Sequence, residues 1–388
     1  MNHAPGASFS QSPRYLQALV AAGLLVPALG VALAPQRTWP MLLLVSYGLV
    51  CAGLAGGFFI ALEYVTGASW CVAIRRVPEA MTAALPAGGV GILLILLVHP
   101  ELYPWLQEAA EANEALWFKH LWLSQPFFTA RAVAYLLIWY FLIARMVRLS
   151  RRQDRSGEFE LTRRNARLSA AFLVVFGITF CLASFDWIMS LEPHWYSTIF
   201  GVYNFAGMFL SGLAIIAILV VWLRENGALQ DIVTSQHLLD LGRLMGAFST
   251  FWAYIWFSQY MLIWYANLPE ETFYFIHRLK PHWLPLFLLN LILNWLLPFL
   301  LLLPRAVKQN PHSLAGVAVI VLLGRVLDLY LMIIPTFAGN SPVFGLWELG
   351  VLAGGIALFV LLIRRALGHA APVPVGDPRL QASLNYHT

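Results

Sequence analysis

Charge is scarce in this sequence. Of its 388 residues only 11% are Asp, Glu, Lys or Arg, while 60% are hydrophobic; a soluble domain carries about a quarter charged residues. Cysteine is scarcer still. Cys51, Cys71 and Cys181 stand apart with no C-x-x-C pair, which excludes an iron–sulfur or zinc framework built by this chain and reads as small buried hydrophobes. Histidine is missing from the middle of every apolar run. His99, His120, His194, His277 and His282 fall at one set of ends or loops, and His237 and His312 at the other. A membrane b-type haem needs axial histidines well inside facing helices, so none is expected here. Also missing are a P-loop, a G-x-G-x-x-G in strand–helix context and a nucleophile elbow. Any redox work therefore falls to partner subunits or a bound quinone. The first residues, MNHAPGASFSQSPR, are polar and lack an A-x-A cleavage pattern, so no removable signal is expected.

What is abundant is the long apolar run. A helix needs about 20 mostly apolar residues to cross the hydrocarbon core, and the chain repeats that unit. An all-α integral membrane protein follows, because a barrel would show short alternating strands. Ten spans are expected, at 15–34, 40–66, 81–99, 126–147, 168–190, 196–223, 243–266, 283–303, 314–335 and 345–365. A short cytoplasmic segment (1–14) precedes the ten-helix domain (15–366), and a Pro-rich polar tail (367–388) follows it, extended or wrapped on a neighbouring subunit. Gly53-x-x-x-Gly57 and Gly350-x-x-x-Gly354 read as close helix packing within the bundle.

Orientation comes from the basic residues. With the N-terminus inside, the inner segments hold eighteen of the 24 Lys and Arg, eight of them between 145 and 167. The outer segments hold Arg37, Lys119, Arg278 and Lys280, and Arg131 and Arg325 lie within spans. Both termini are therefore expected in the cytoplasm. The net charge of +5 follows this topology and does not point to nucleic acid. The outer connection 101–124 carries Glu101, Glu108, Glu111 and Glu114 among Trp105, Trp117 and Trp122. It reads as a helix on the membrane surface, with tryptophans at headgroup depth, serving as a solvated lid or a docking ledge.

An ionisable side chain at bilayer depth is costly and is a functional candidate by default. Six qualify: Glu63, Arg131, Asp186, Arg325, Asp328 and Glu348. Arg131, Asp186 and Glu348 sit near outer ends and Glu63 toward the inner end, near the depth of Asp240 and Arg243. Arg325 and Asp328, three apart, share a helix face and can pair. The group reads either as ion pairs fixing helix register or as a proton path, with Tyr203 and other buried polar side chains as steps. Between two spans, Glu192, Pro193 and His194 form the outer mouth, with His277 at a second outer turn.

The stretch SFDWIMSLEPHWYSTIFGVYNFAG (184–207) resembles a signature of the integral membrane subunits of alternative complex III, a bacterial quinol:cytochrome c or high-potential iron–sulfur protein oxidoreductase. FFTARAVAYLLIWYFLI (127–143), FSQYMLIWYANLPEETFYFIHR (257–278) and DPRLQASLNYH (377–387) resemble its F subunit. That family is similar in turn to the polysulfide-reductase (NrfD-like) membrane subunits. The resemblance implies two four-helix bundles, at about 40–190 and 196–335, with spans one and ten flanking. It also implies a cofactor-free subunit in the bacterial inner membrane that offers a proton route. Its expected partners are a homologous membrane subunit holding the quinol (menaquinol) site, an iron–sulfur subunit, multihaem cytochrome c subunits with c-type haems, small membrane subunits and lipid. Asp186, Glu192, His194, Tyr203, Arg131, Glu270, Glu271 and His277 lie in the matching motifs; no catalytic or metal-binding residue is implied. Two other readings stay open: a quinol site in this chain headed by Asp186 and His194, and a stand-alone secondary transporter.

Overall fold

The computed structural model describes residues 14–108 and 117–386. The N-terminal segment and two of the expected interfacial carboxylates, Glu111 and Glu114, lie outside the described residues. Within them every regular element is helical, and a helix is one of the two structures, with the closed barrel, that satisfy a spanning backbone without water. The principal helices are α1 (Arg14–Leu33), α2 (Pro35–Thr66), α3 (Ala84–Val98), α4 (Gln125–Ser156), α5 (Phe159–Trp187), α6 (Phe200–Glu225), α7 (Ser235–Ala266), α8 (Pro269–Arg278), α9 (Leu284–Leu301), α10 (Pro311–Ile333), α11 (Leu346–Leu367) and α12 (Leu380–Leu384). Nine helices among the described residues are long and apolar enough to cross a membrane.

The expected span 243–266 falls within α7, a helix of 32 residues that does not meet that apolar standard. Asp240, Arg243, Gln259 and a row of Trp and Tyr side chains dilute its hydropathy. Three other boundaries differ from expectation. The third span begins earlier, as short helical turns from Val72, and breaks before α3. The fourth and fifth run on past the expected membrane edge, so much of the basic stretch 145–167 is helical. Gly157, at φ +66°, ends α4 in the left-handed conformation, which glycine adopts without steric cost, and Phe159 starts α5.

Packing follows two groups. Helix α2 lies against α3 and α5, with α4 on α5; α6 lies against α7 and α10, with α9 on α10. The groups meet where α6 touches α2 and α5. There Phe58, Phe176, Phe205, Phe209 and Phe248 interlock, several edge to face, with Phe58–Phe209 at 4.8 Å and Phe209–Phe248 at 4.6 Å. Such pairs add about 0.5–1.5 kcal/mol each beyond burial. Helices α1 and α11 pair with each other beside α2. The second glycine motif acts here: a methyl on Gly354 would sit 2.5 Å from the Cα of Gly23, so only glycine permits this approach. On Gly53 it would meet the backbone of Leu85 in α3 at 2.7 Å.

Helix α9 carries a π turn at Ile292–Leu296. Pro298 follows it and has no N–H for the carbonyl of Asn294 four residues back. Ser249 of α7 donates to that carbonyl instead, at 2.6 Å.

Two further expectations are corrected. Trp105 of the outer connection is buried against Tyr103 and Phe128 instead of lying at the surface. The tail is not extended. It folds back and buries Asp377 and Ser383 in its own chain.

Candidate functional site: two buried carboxylates

Asp328 on α10 is fully buried and accepts from four donors on four helices. Tyr203 of α6 makes a short contact to Oδ1, and Asn290 of α9 donates to the same oxygen at 3.1 Å. Arg325 NH1, three residues back on α10, reaches Oδ2 at 2.5 Å, and the Trp252 indole of α7 lies at 3.4 Å. The pairing expected from spacing is therefore present, and Tyr203 joins it. The guanidinium fits because position 207 is glycine; a methyl there would be 2.3 Å from NH1. Nε and NH2 of Arg325 have no hydrogen-bond partner among the described residues. Next to this cluster, Tyr47 of α2 donates to Asn204 at 3.2 Å and lies 3.4 Å from Ser184 of α5.

Asp186 at the end of α5 is also buried and also has four donated bonds. Arg131 of α4 supplies two, at 2.9 and 3.0 Å, Trp122 one at 2.9 Å and Tyr135 one at 3.2 Å. Arg131 also donates to the Trp122 carbonyl at 2.7 Å and lies over the Trp122 ring at 4.0 Å.

The two sites repeat. Pro126 stands five residues before Arg131, and Pro285 five before Asn290; Asp186 stands seven before Pro193, and Asp328 seven before Pro335. Each carboxylate thus takes a donor at the same offset from a proline near the start of the neighbouring helix. The difference is where the cation stands. In the first group it comes across from α4 and closes on the carboxylate with both arms. In the second a neutral asparagine holds that place, and the arginine comes from the carboxylate's own helix, through one arm. The repeated proline offsets are visible in the sequence; sequence reasoning that looked only at single spans passed over them.

The outer-mouth residues separate. Glu192 accepts from Arg278 at 2.9 Å and from Thr336 at 3.2 Å. Arg278 is buried at the end of α8 and also donates to the carbonyls of Leu331 and Tyr274, at 2.8 and 2.9 Å. Its ring neighbour Tyr274 stacks on Trp195 at 3.9 Å. Sequence reading counted Arg278 only as a basic residue of an outer segment; the structure makes it the clamp between two turns. His277 binds the Gly339 carbonyl at 2.7 Å, and His194 is exposed; neither joins Asp186. Glu270 and Glu271 sit in the first turn of α8.

A narrow cleft of about 20 Å³ lies between Arg278 and Asp328, which is room for a water molecule. Its polar lining is Tyr203, Gln259, Tyr274, Arg278, Asn290 and Asp328. The second carboxylate therefore shares a cleft with Arg278, the partner of Glu192.

Glu348 and Glu63 stand apart from both sites. Glu348 takes a two-armed bond from Arg37, both at 2.7 Å, which fastens α11 to the start of α2. Glu63 lies at the opposite end of α2, in contact with Arg75, which also holds Asp377 of the tail at 2.6 Å. Burial would raise the Asp377 carboxyl, but Arg75 and Arg379 outweigh it and hold it below the usual range. Beyond Asp377, Ser383 bonds the Trp70 carbonyl at 2.6 Å and the Ala73 amide at 3.0 Å, and Tyr386 donates to Asp240 at 2.7 Å. That last bond, with some burial, raises the Tyr386 hydroxyl pKa. Glu63 and Asp240, expected at similar depth, are thus joined through the tail. No three His, Cys, Asp or Glu side chains among the described residues gather as a metal-binding group.

No protein-family model matches the chain, and no curated protein is significantly similar to it.

Proposed function

We propose that this chain is a cofactor-free membrane subunit of a quinol-oxidising electron-transfer complex of the alternative complex III type. In this reading it supports the assembly and conducts protons at the Asp328 site. It crosses a bacterial inner membrane ten times, counting α7, with both termini inside. Partner subunits carry the quinol site, the iron–sulfur clusters and the c-type haems.

The observation that carries the proton role is the asymmetry between the two repeated carboxylates. Asp186 is closed off by a two-armed arginine, as a structural pair would be. Asp328 has a tyrosine hydroxyl on one oxygen, a one-armed arginine on the other and a water-sized cleft beside it. Proton transfer needs groups in hydrogen-bond contact or with one water between them; Tyr203 contacts Asp328 directly and the cleft has room for a water. Asp186, which would head a quinol site in the same chain, is instead taken up by Arg131, Trp122 and Tyr135, which favours this reading over a quinol site.

Two measurements test it. Purified in mild detergent from its native membrane, the chain is expected to bring haem- and iron–sulfur-bearing partners; recovery of the chain alone would favour a transporter. In proteoliposomes, the complex carrying Asp328→Asn is expected to assemble and pass electrons with altered proton release. Unaltered proton stoichiometry in that assembled variant removes the proton role.

A further inference from the structure

The inner half of α4 presents a face that neither the ion-pair networks nor the proton reading uses. Phe141, Arg145, Leu149, Arg148 and Arg152 line an open groove of about 400 Å³. The three arginines are exposed, and none has a carboxylate or other hydrogen-bond partner among the described residues. Their neighbours differ in this respect: Arg164 pairs with Glu160 and Arg163 lies over Phe159. The spacing 145–148–152 puts the guanidiniums on one helix face, over roughly 10 Å of axis. Directly N-terminal on α4, Leu137, Ile138 and Phe141 are exposed and apolar, so the basic groove runs straight into a strip facing acyl chains.

We infer that this groove is a binding site for an anionic glycerophospholipid. Its phosphate would sit among Arg145, Arg148 and Arg152, and its acyl chains would lie along Phe141, Ile138 and Leu137. The charge complementarity is direct, because an unpaired guanidinium fork matches a phosphate diester and basic sites beside spanning helices take anionic headgroups. Acyl strip and cationic groove are continuous on one helix, which a soluble anion would not require. The inference rests on α4 crossing the membrane and is independent of the electron-transfer reading.

The test uses the purified full-length chain with whatever partners accompany it, titrated in detergent with fluorescent phosphatidylglycerol. Each arginine near such a surface contributes about fivefold in affinity, so Arg145→Gln/Arg148→Gln/Arg152→Gln should weaken binding on the order of 100-fold. The charge-matched control Arg155→Gln/Arg163→Gln/Arg167→Gln should stay within about threefold of the parent chain. Should the groove triple fail to insert, Arg148→Gln alone is read for its roughly fivefold loss. Equal losses in both triples would overturn the site in favour of diffuse positive charge. Equal competition by phosphatidylcholine would overturn the headgroup assignment, and equal competition by free glycerol phosphate would overturn the lipid assignment.

Discussion

Asparagine in place of Asp328 keeps the side-chain shape and removes the charge, and its consequences can be worked from the contacts. Arg325 would lose its one carboxylate contact while buried at 5% exposure, with Nε and NH2 already unpartnered. Removing one partner of a buried ion pair costs about 3–5 kcal/mol, because the remaining charge is left uncompensated, whereas removing both is often close to neutral. Asp328→Asn alone should therefore destabilise the chain by about 3–5 kcal/mol. The double variant Arg325→Gln/Asp328→Asn should recover most of that loss, giving a large coupling energy in a double-mutant cycle. Equilibrium unfolding in mixed detergent–SDS micelles reads the stability; proton release by the reconstituted complex reads the function. If the pair matters only for packing, the double variant restores both. If Asp328 carries protons, it restores stability alone. A single variant that loses less than about 1 kcal/mol would refute the account of a buried, dependent pair.

Three more outcomes follow from the same contacts. Arg278→Lys should fail to replace Arg278, because an ammonium cannot reproduce a fork that serves Glu192 and the carbonyls of Leu331 and Tyr274 together; a loss of about 2–4 kcal/mol is expected by unfolding, and a neutral result would contradict the clamp. Asp377, with its pKa lowered in the fold, contributes stability above the ordinary carboxylate value of about 3.9. That contribution is lost as pH falls through the lowered value, so limited proteolysis should release the tail in acid, and Asp377→Asn should weaken its attachment at neutral pH and flatten the pH dependence. Gly354→Ala should force α1 from α11 and cost about 1–3 kcal/mol, measured as accessibility of a cysteine placed at Leu16, which is buried against Ala357 and Leu361; an unlabelled cysteine in that variant would mean the helices accommodate the methyl.

Local physics was legible in the sequence and long-range pairing was not. Apolar runs set most helices, and the three-residue spacing of Arg325 and Asp328 predicted their contact because a helix fixes which residues share a face. Arg131 and Asp186 lie 55 positions apart and Arg37 and Glu348 lie 311 apart; no periodicity joins them, and only packing of separate helices does. Helix α7 misses the apolar standard because Ser249, Trp252 and Gln259 interrupt a buried face otherwise made mostly of Leu, Met and Ile, while Tyr254, Trp264 and Tyr265 stand exposed on the other. The tail misled for a related reason. Hydropathy counts Asp377, Ser383 and Tyr386 as groups for water, while each has a specific partner inside.

The fold-back of the tail also sets an order of events. Asp377 is made after every spanning helix, yet Arg75, made near the start of the chain, shares its charge between Glu63 and Asp377. Until residues 377–386 emerge, Arg75 has Glu63 as its carboxylate partner beside the Tyr64 hydroxyl, and the Trp70–Ala73 turn lacks the Ser383 hydroxyl that bonds its backbone. That end of the bundle can thus be completed only after the tail residues 377–386 have been made. A chain cut short by a dozen residues would keep all its membrane helices but present an open, charged end, a ready mark by which quality-control proteases could tell it from the finished protein.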